Sequence, residues 1–313
     1  MVVGMPEKSG NGSATLTTGA EKGQADPIRA VAATVRSAVS VAGAAQLACV
    51  LEVGAEKPGN ITPSHDFHDT TFEDMLRSAI AVGPELACAG ERGVGATVLA
   101  AVEASRRVAP ANTNLGIALL LAPLAKAALD GGSLRARLGT TLRALDVADA
   151  RAAYAAIRHS GASGLDERVE HDVRSVPAVG LRDAMASAAE RDSIASEYVT
   201  DYALTFDTGL PALVAALGDG LAVREAIVEL HLRLLERAPD TLIARKRGAG
   251  AAARVSAAAR EVLAAGGVRT AEGRRALRGF DESLREPGNA LNPGTTADLV
   301  TATLFVALVE GML

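Results

Sequence analysis

From Pro27 onward the apolar residues of this chain recur at steps of three and four, and β-branched alternation over a strand length is almost absent. Ile28, Val31, Ala32, Val35, Ala38 and Val39 set the pattern behind Pro27, whose fixed φ suits a helix start. Val41 to Val53 repeat it and stop at Gly54, ahead of Pro58-Gly59. The same period predicts a helix from the Thr70-Thr71-Phe72-Glu73 stretch, which has the Thr-x-x-Glu form of a capping box. Further helices are predicted at about 94–109, 115–130, 133–144, 149–158, 181–204, 209–217, 222–237, 249–265, 270–285 and 296–312. The expected fold is all-α, a single compact multi-helix domain over residues 27–313, since no linker-like block interrupts it.

Residues 1–26 are rich in Gly, Ser, Thr and Lys without a sustained apolar period, so they read as a disordered N-terminal tail. With aromatics at 3% and no Trp, the core must come from Ala, Leu and Val, and stacking platforms for single-stranded bases are nearly excluded. A net charge of -5 argues against general nucleic-acid binding, which needs a basic face. No uncharged apolar run approaches the roughly 20 residues of a membrane span, and no secretory leader pattern is seen. Cys49 and Cys88 form neither a disulfide framework nor a metal spacing and are expected buried and reduced, so a cytoplasmic location is expected.

Four segments place polar residues beside Gly or Pro at helix boundaries. Glu52 to Asp74 carries Lys57, Gly59, Asp66, Asp69 and Glu73, where an ammonium suits phosphate and carboxylates suit Mg²⁺. Helix capping by Asp69 and Glu73 is the simpler reading. His65 and His68 lack a third soft ligand and read as loop residues. Asn112-Thr113-Asn114-Leu115-Gly116 opens an apolar helix, so Asn112 and Asn114 either cap it or hold a ribose hydroxyl or phosphate. In Pro239 to Gly248, Arg245, Lys246 and Arg247 are either a solvated helix C-terminus or a triphosphate clamp. Asn292 to Asp298 fits a capping box of Thr295 with Asp298, and its Pro293-Gly294 turn also suits a metal that bridges to phosphate.

Taken in order, Glu52 with Lys57-Pro58-Gly59, Asp69 with Phe72, Asn112-Thr113 with Gly116, Asp240-Thr241, and Pro293-Gly294 with Ala297-Asp298 resemble the triphosphoribosyl-dephospho-CoA synthase family. The resemblance implies an ATP-dependent pentosyl transfer. A hydroxyl of dephospho-CoA attacks C1′ of the ATP ribose, adenine leaves, and a triphosphoribosyl group is attached to the acceptor. It implies phosphate or nucleotide contacts from Lys57, Gly59, Asn112, Asn114, Arg245, Lys246, Arg247, Gly294 and Thr295. Asp69, Asp240 and Asp298 would be catalytic, and Asp69, Glu73, Asp240 and Asp298 would hold Mg²⁺. The family's Asn-Thr-His-Lys-Gly is here Asn112-Thr113-Asn114-Leu115-Gly116, a variant similar to the branch in methanogens and methylotrophs. That departure leaves a pterin-type precursor of a tetrahydromethanopterin-like cofactor as the alternative acceptor. A non-catalytic helical scaffold, in which the four segments lie apart and only cap helices, is the competing reading from another class. Small-molecule partners are expected, with homo-oligomerisation open.

Overall fold

A computed structural model describes residues 39–109, 114–130, 132–161, 173–285 and 287–313. The expected tail, the helix behind Pro27, and Asn112 with Thr113 lie outside the described residues. Fourteen α-helices are described: α1 Val41–Val53, α2 Phe72–Ala87, α3 Val94–Val108, α4 Leu115–Leu129, α5 Leu134–Arg143, α6 Val147–Ser160 and α7 Leu181–Ala186. The remainder are α8 Ser193–Val199, α9 Leu210–Gly218, α10 Val223–Arg237, α11 Thr241–Arg247, α12 Ala249–Ala264, α13 Ala271–Leu284 and α14 Gly294–Val309. Among the described residues there is no β-sheet, and one isolated bridge, Thr62 with His65, closes the loop after α1. No single described helix is long and apolar enough to cross a membrane.

Two helices are apolar nearly all round, and such helices belong inside. Residues 117–125 of α4 are buried, as are all residues from Leu299 to Leu308 of α14. α14 packs on α1, α4 and α10, while α2 and α3 extend the layer from α1, and α12 and α13 from α10. Alanines and leucines fill these contacts, as the low aromatic content requires.

Prolines inside two helices show how the layers are tied. Pro84 in α2 has no N–H for the carbonyl of Ile80, and Gln46 Nε2 from α1 donates to that oxygen at 2.8 Å. Pro123 in α4 leaves the carbonyl of Leu119 without its helical donor. Tyr198 Oη supplies one at 2.7 Å, and Tyr202 Oη donates to Leu120 O at 2.9 Å.

Three local expectations are corrected. The helix predicted over 181–204 is two short ones, because the Asp192 carboxylate accepts from the Ile194 and Ala195 amides and starts α8 anew. Beyond α8, Asp201 and Tyr202 adopt left-handed φ of 51° and 61°, which ends it. The capping box ahead of α2 is Thr71 with Asp74, one residue later than the Thr70–Glu73 register. Both cysteines are free, but only Cys49 is buried; Cys88 is partly exposed.

Candidate functional site

The C-terminal end of α1 runs into a tight loop built around Lys57. Its side chain is fully buried and its ammonium donates to Glu52 O and to Ala55 O at 3.3 Å, while Glu52 Oε1 lies at 3.0 Å. Those three acceptors match the three N–H donors of an ammonium. Lys57 therefore holds the loop in this conformation instead of facing solvent. Burial pushes the Glu52 carboxyl above its ordinary range, against the pull of Lys57. Gly59 follows with φ of 74°, and a Cβ there would come within 2.9 Å of Leu284 and 3.0 Å of Pro293. Its amide donates to Asp281 Oδ1 at 2.7 Å, and Arg285 Nη1 donates to Asn60 O at 3.0 Å, so the first segment is pressed onto the last.

The third and fourth segments are joined by Asp240. One carboxylate oxygen caps α11, accepting from the amides of Leu242 at 2.9 Å and Ile243 at 3.0 Å. The other accepts from the Thr296 amide at 2.7 Å and hydroxyl at 2.8 Å, in the opening turn of α14. Thr241 Oγ1 donates to Thr295 Oγ1 at 3.2 Å and accepts from the Ser193 amide at 3.3 Å, which brings in the start of α8. Burial pushes the Asp240 carboxyl up, and its four donors oppose that. Both oxygens of Asp240 are thus engaged by donors of the protein itself.

Asp298 is the contrasting carboxylate. The expected Thr295–Asp298 capping box does not form: Pro293 is the cap residue of α14 and no side chain caps it. Asp298 is half-buried and has no hydrogen-bond partner among the described residues. A Cβ on Gly116 would lie 2.0 Å from Asp298 Oδ2, so only glycine lets this oxygen rest on the head of α4. Burial first, then the nearby carboxylates of Glu52 and Asp240, push Asp298 well above the usual carboxylate range; Arg245 pulls the other way. The starts of α4 and α14, positive ends of two long helices, thus meet around one unpaired acid. Asn114, also buried, turns its amide to Ser105 at 3.3 Å and makes no side-chain cap.

The basic run lies at the end of α11. Arg245 pairs with Asp192 at 2.6 Å, and Lys246 Nζ donates to Asn289 O at 3.3 Å. Desolvation lowers the Lys246 pKa, opposed by Asp69 and Asp240 nearby. Asp69 itself is 57% exposed, with Thr70 Oγ1 at 3.3 Å and His68 Nε2 at 3.9 Å. Arg247 and Glu73 are exposed. Among the described residues no three His, Cys, Asp or Glu side chains gather as a metal cage. The Mg²⁺ set expected from Asp69, Glu73, Asp240 and Asp298 is therefore not assembled as a resident site.

Sequence reasoning missed Asp192 as part of this junction, and placed Thr241 and Thr296 in the right segments without a role. The Asp and Thr types beside helix starts were a signal for capping, but their cross-contacts span up to 56 residues and leave no local trace.

The profile of the ATP:dephospho-CoA triphosphoribosyl transferase family matches residues 38–313. A protein of Stutzerimonas stutzeri named as a probable 2-(5''-triphosphoribosyl)-3'-dephosphocoenzyme-A synthase is 37% identical over 101 residues, 31% of this chain and 33% of that protein. One of the same name from Azotobacter vinelandii is 35% identical over 105 residues, 34% of this chain and 35% of that protein. The matched stretch spans about a third of the length of these curated relatives. A crystal structure from Archaeoglobus fulgidus, provisionally assigned as a triphosphoribosyl-dephospho-CoA synthase, is 31% identical. It superposes with a TM-score of 0.61 and covers 75% of this chain and 99% of that one.

Proposed function

The chain belongs to the ATP:dephospho-CoA triphosphoribosyl transferase family, and from that premise we propose that it transfers the triphosphoribosyl group of ATP to a hydroxyl of dephospho-CoA, with Asp298 as the base. In the transfer, Asp298 takes the proton of the acceptor hydroxyl as its oxygen bonds to C1′. The bond from C1′ to adenine breaks, and adenine leaves with the electron pair and takes up a proton. Such displacements pass through an oxocarbenium-like state, which a neighbouring carboxylate stabilises. The observation that carries the reading is Asp298 itself, a half-buried carboxyl without a partner, pressed on Gly116 between two helix starts. A carboxyl whose affinity for a proton is raised in this way is a stronger base than an ordinary carboxylate and is suited to proton transfer.

The phosphates are assigned to the side where Lys246 and Arg247 end α11 and where the amides of α4 and α14 begin. Mg²⁺ would come with the triphosphate, where it would neutralise phosphate charge, and Asp69 beside Lys246 is the carboxylate placed to share in holding it. Asp240 clamps α11 to α14 and so serves the fold of the junction. A pterin-type acceptor would be favoured if Asn114 and Leu115 faced it; the Asn114 amide donates to Ser105 at 3.3 Å, which supports the dephospho-CoA reading. The scaffold reading required the segments to stay apart, and they share hydrogen bonds and close contacts.

Incubation of the purified protein with ATP, Mg²⁺ and dephospho-CoA should release free adenine. Formation of ADP or AMP without adenine would point to phosphoryl or nucleotidyl transfer and end this reading.

A further inference from the structure

A cleft of about 520 Å³ opens where α10 meets α9, α12 and the π-helix Leu204–Gly209, and none of its lining residues belongs to the four segments described above. Its volume suits a small molecule, but its walls are charged. Arg233, Glu236 and Arg237 come from α10, Arg260 from α12, and Asp207 with Thr208 from the π-helix. One of the two acids is already engaged: Asp207 accepts from both terminal nitrogens of Arg135, Nη2 at 2.7 Å, and these hydrogen bonds hold its carboxyl below the ordinary range. Arg233 is matched by the buried Glu229, whose Oε1 accepts from it at 3.2 Å. Glu236 alone is then left for the remaining cations, with Arg260 Nε at 3.4 Å, too long for a well-formed hydrogen bond. Arg237 has no ion-pair partner among the described residues.

Two guanidiniums thus share one acid inside a concave site, in a chain whose net charge is -5. A helix dipole accounts for Arg237, which lies in the last turn of α10, but not for Arg260, which lies before the last turn of α12. The third wall is fixed: a Cβ on Gly209 would fall 2.4 Å from Thr303 Oγ1, so only glycine lets the π-helix seat against α14. Such helices are rare and recur at functional sites. We propose that this cleft is a second anion site, in which Arg237 and Arg260 take the phosphate or carboxylate group of a small molecule and Thr208 supplies a neutral donor. Guanidinium forks pair two-on-two with either oxyanion, and the excess of positive charge over Glu236 draws it in. The site uses none of the residues assigned to the triphosphate and stands apart from that reading.

The test titrates the full chain with inorganic phosphate and, separately, with succinate, reading binding by calorimetry at low salt. It compares wild type, a double variant with Arg237→Gln and Arg260→Gln, and Lys246→Gln. Wild type should bind at least one probe, and whichever binds names the group that the cleft takes. The double variant should bind that probe at least about tenfold more weakly, whereas Lys246→Gln, on the side assigned to the triphosphate, should stay within about threefold of wild type. Wild-type protein that binds neither probe overturns the proposal. So does a double variant that binds as well as wild type, or a loss of the same size in Lys246→Gln. Both arginines are exposed, so the double variant should fold. Should it fail to, Thr208→Glu decides: a carboxylate set in the cleft should weaken the probe at least about tenfold, and unchanged binding overturns the proposal. Adenine release is not measured in any arm, so this site and the proposed reaction stand or fall separately.

Discussion

The head of α11 and the opening turns of α14 lie side by side and treat their acids in opposite ways. At α11, Asp240 accepts four hydrogen bonds and ties two helices together. At α14, Asp298 accepts none among the described residues and rests against a glycine. Burial raises both carboxyls, but only Asp298 also feels two acidic neighbours as leading contributions without a hydrogen bond to offset them. A buried acid surrounded by donors stabilises a fold; one without them costs stability and is retained for chemistry. On the proposed reading, the two regions separate a clamp from the acid assigned as the base within one junction.

The largest effect is expected from Asp298→Asn, which should lower adenine release by about 10²–10⁴-fold, the usual contribution of a general base, while leaving the melting temperature unchanged or higher. Loss of folding together with activity would erase the distinction between the two acids. Next comes Asp240→Ala, which removes a cap and strands the Thr296 amide. Denaturant titration should show a loss of about 2–4 kcal/mol, with turnover per folded molecule largely kept. If instead this variant folds normally and is inactive, the roles assigned to the two acids are reversed.

Gly116→Ala sharpens the comparison from the other side, since its Cβ would fall 2.0 Å from the Asp298 oxygen. The carboxyl must move, and kinetic assays should show at least about a tenfold loss, in line with the sensitivity of catalysis to small misplacements. Smaller again is the pH signature. The folded pKa of Asp298 lies above its unfolded value, so the folded state binds more protons between the two. Its contribution to stability is therefore fully present below the unfolded pKa and is lost as pH rises through the folded one. Thermal melts of wild type and Asp298→Asn across that window should converge at the acid end and separate at higher pH, with the variant the more stable. The least effect belongs to Arg260→Ala, which removes an exposed pairing with Glu236 at 3.4 Å. A stability change within about 0.5 kcal/mol is expected there, and a larger one would show that surface pairs matter as much as the clamp.

Much of the fold was legible because its helices advertise themselves by period and end at Gly or Pro. Gly54 and Gly161 mark such ends, and α4 and α14 could be recognised as apolar runs. Where a single side chain starts a helix, the period misleads: Asp192 divides a stretch that reads as continuous. The site was legible as four segments but not as a set of roles. Lys57, expected to face phosphate, is buried with all its donors taken, because the ion pair with Glu52 is closed by a loop whose shape the sequence does not announce. His231 sits in the amphipathic run of α10 and looks like any core position until its unmatched nitrogens are seen.

The tyrosine hydroxyls that fill the carbonyls around Pro123 also give the protein an optical reporter. With no Trp and three Tyr in the chain, its near-ultraviolet emission comes from tyrosine, and two of the three are fixed to the backbone of α4. Their rings lie 6.2 Å apart, close enough to exchange excitation, and both hydroxyls are locked as donors. Loosening of α8 from α4 would free the Tyr198 hydroxyl and change that emission before the helices themselves unwind. The first turn of the same α4 carries Gly116, so a label-free fluorescence trace would follow the helix on which Asp298 rests.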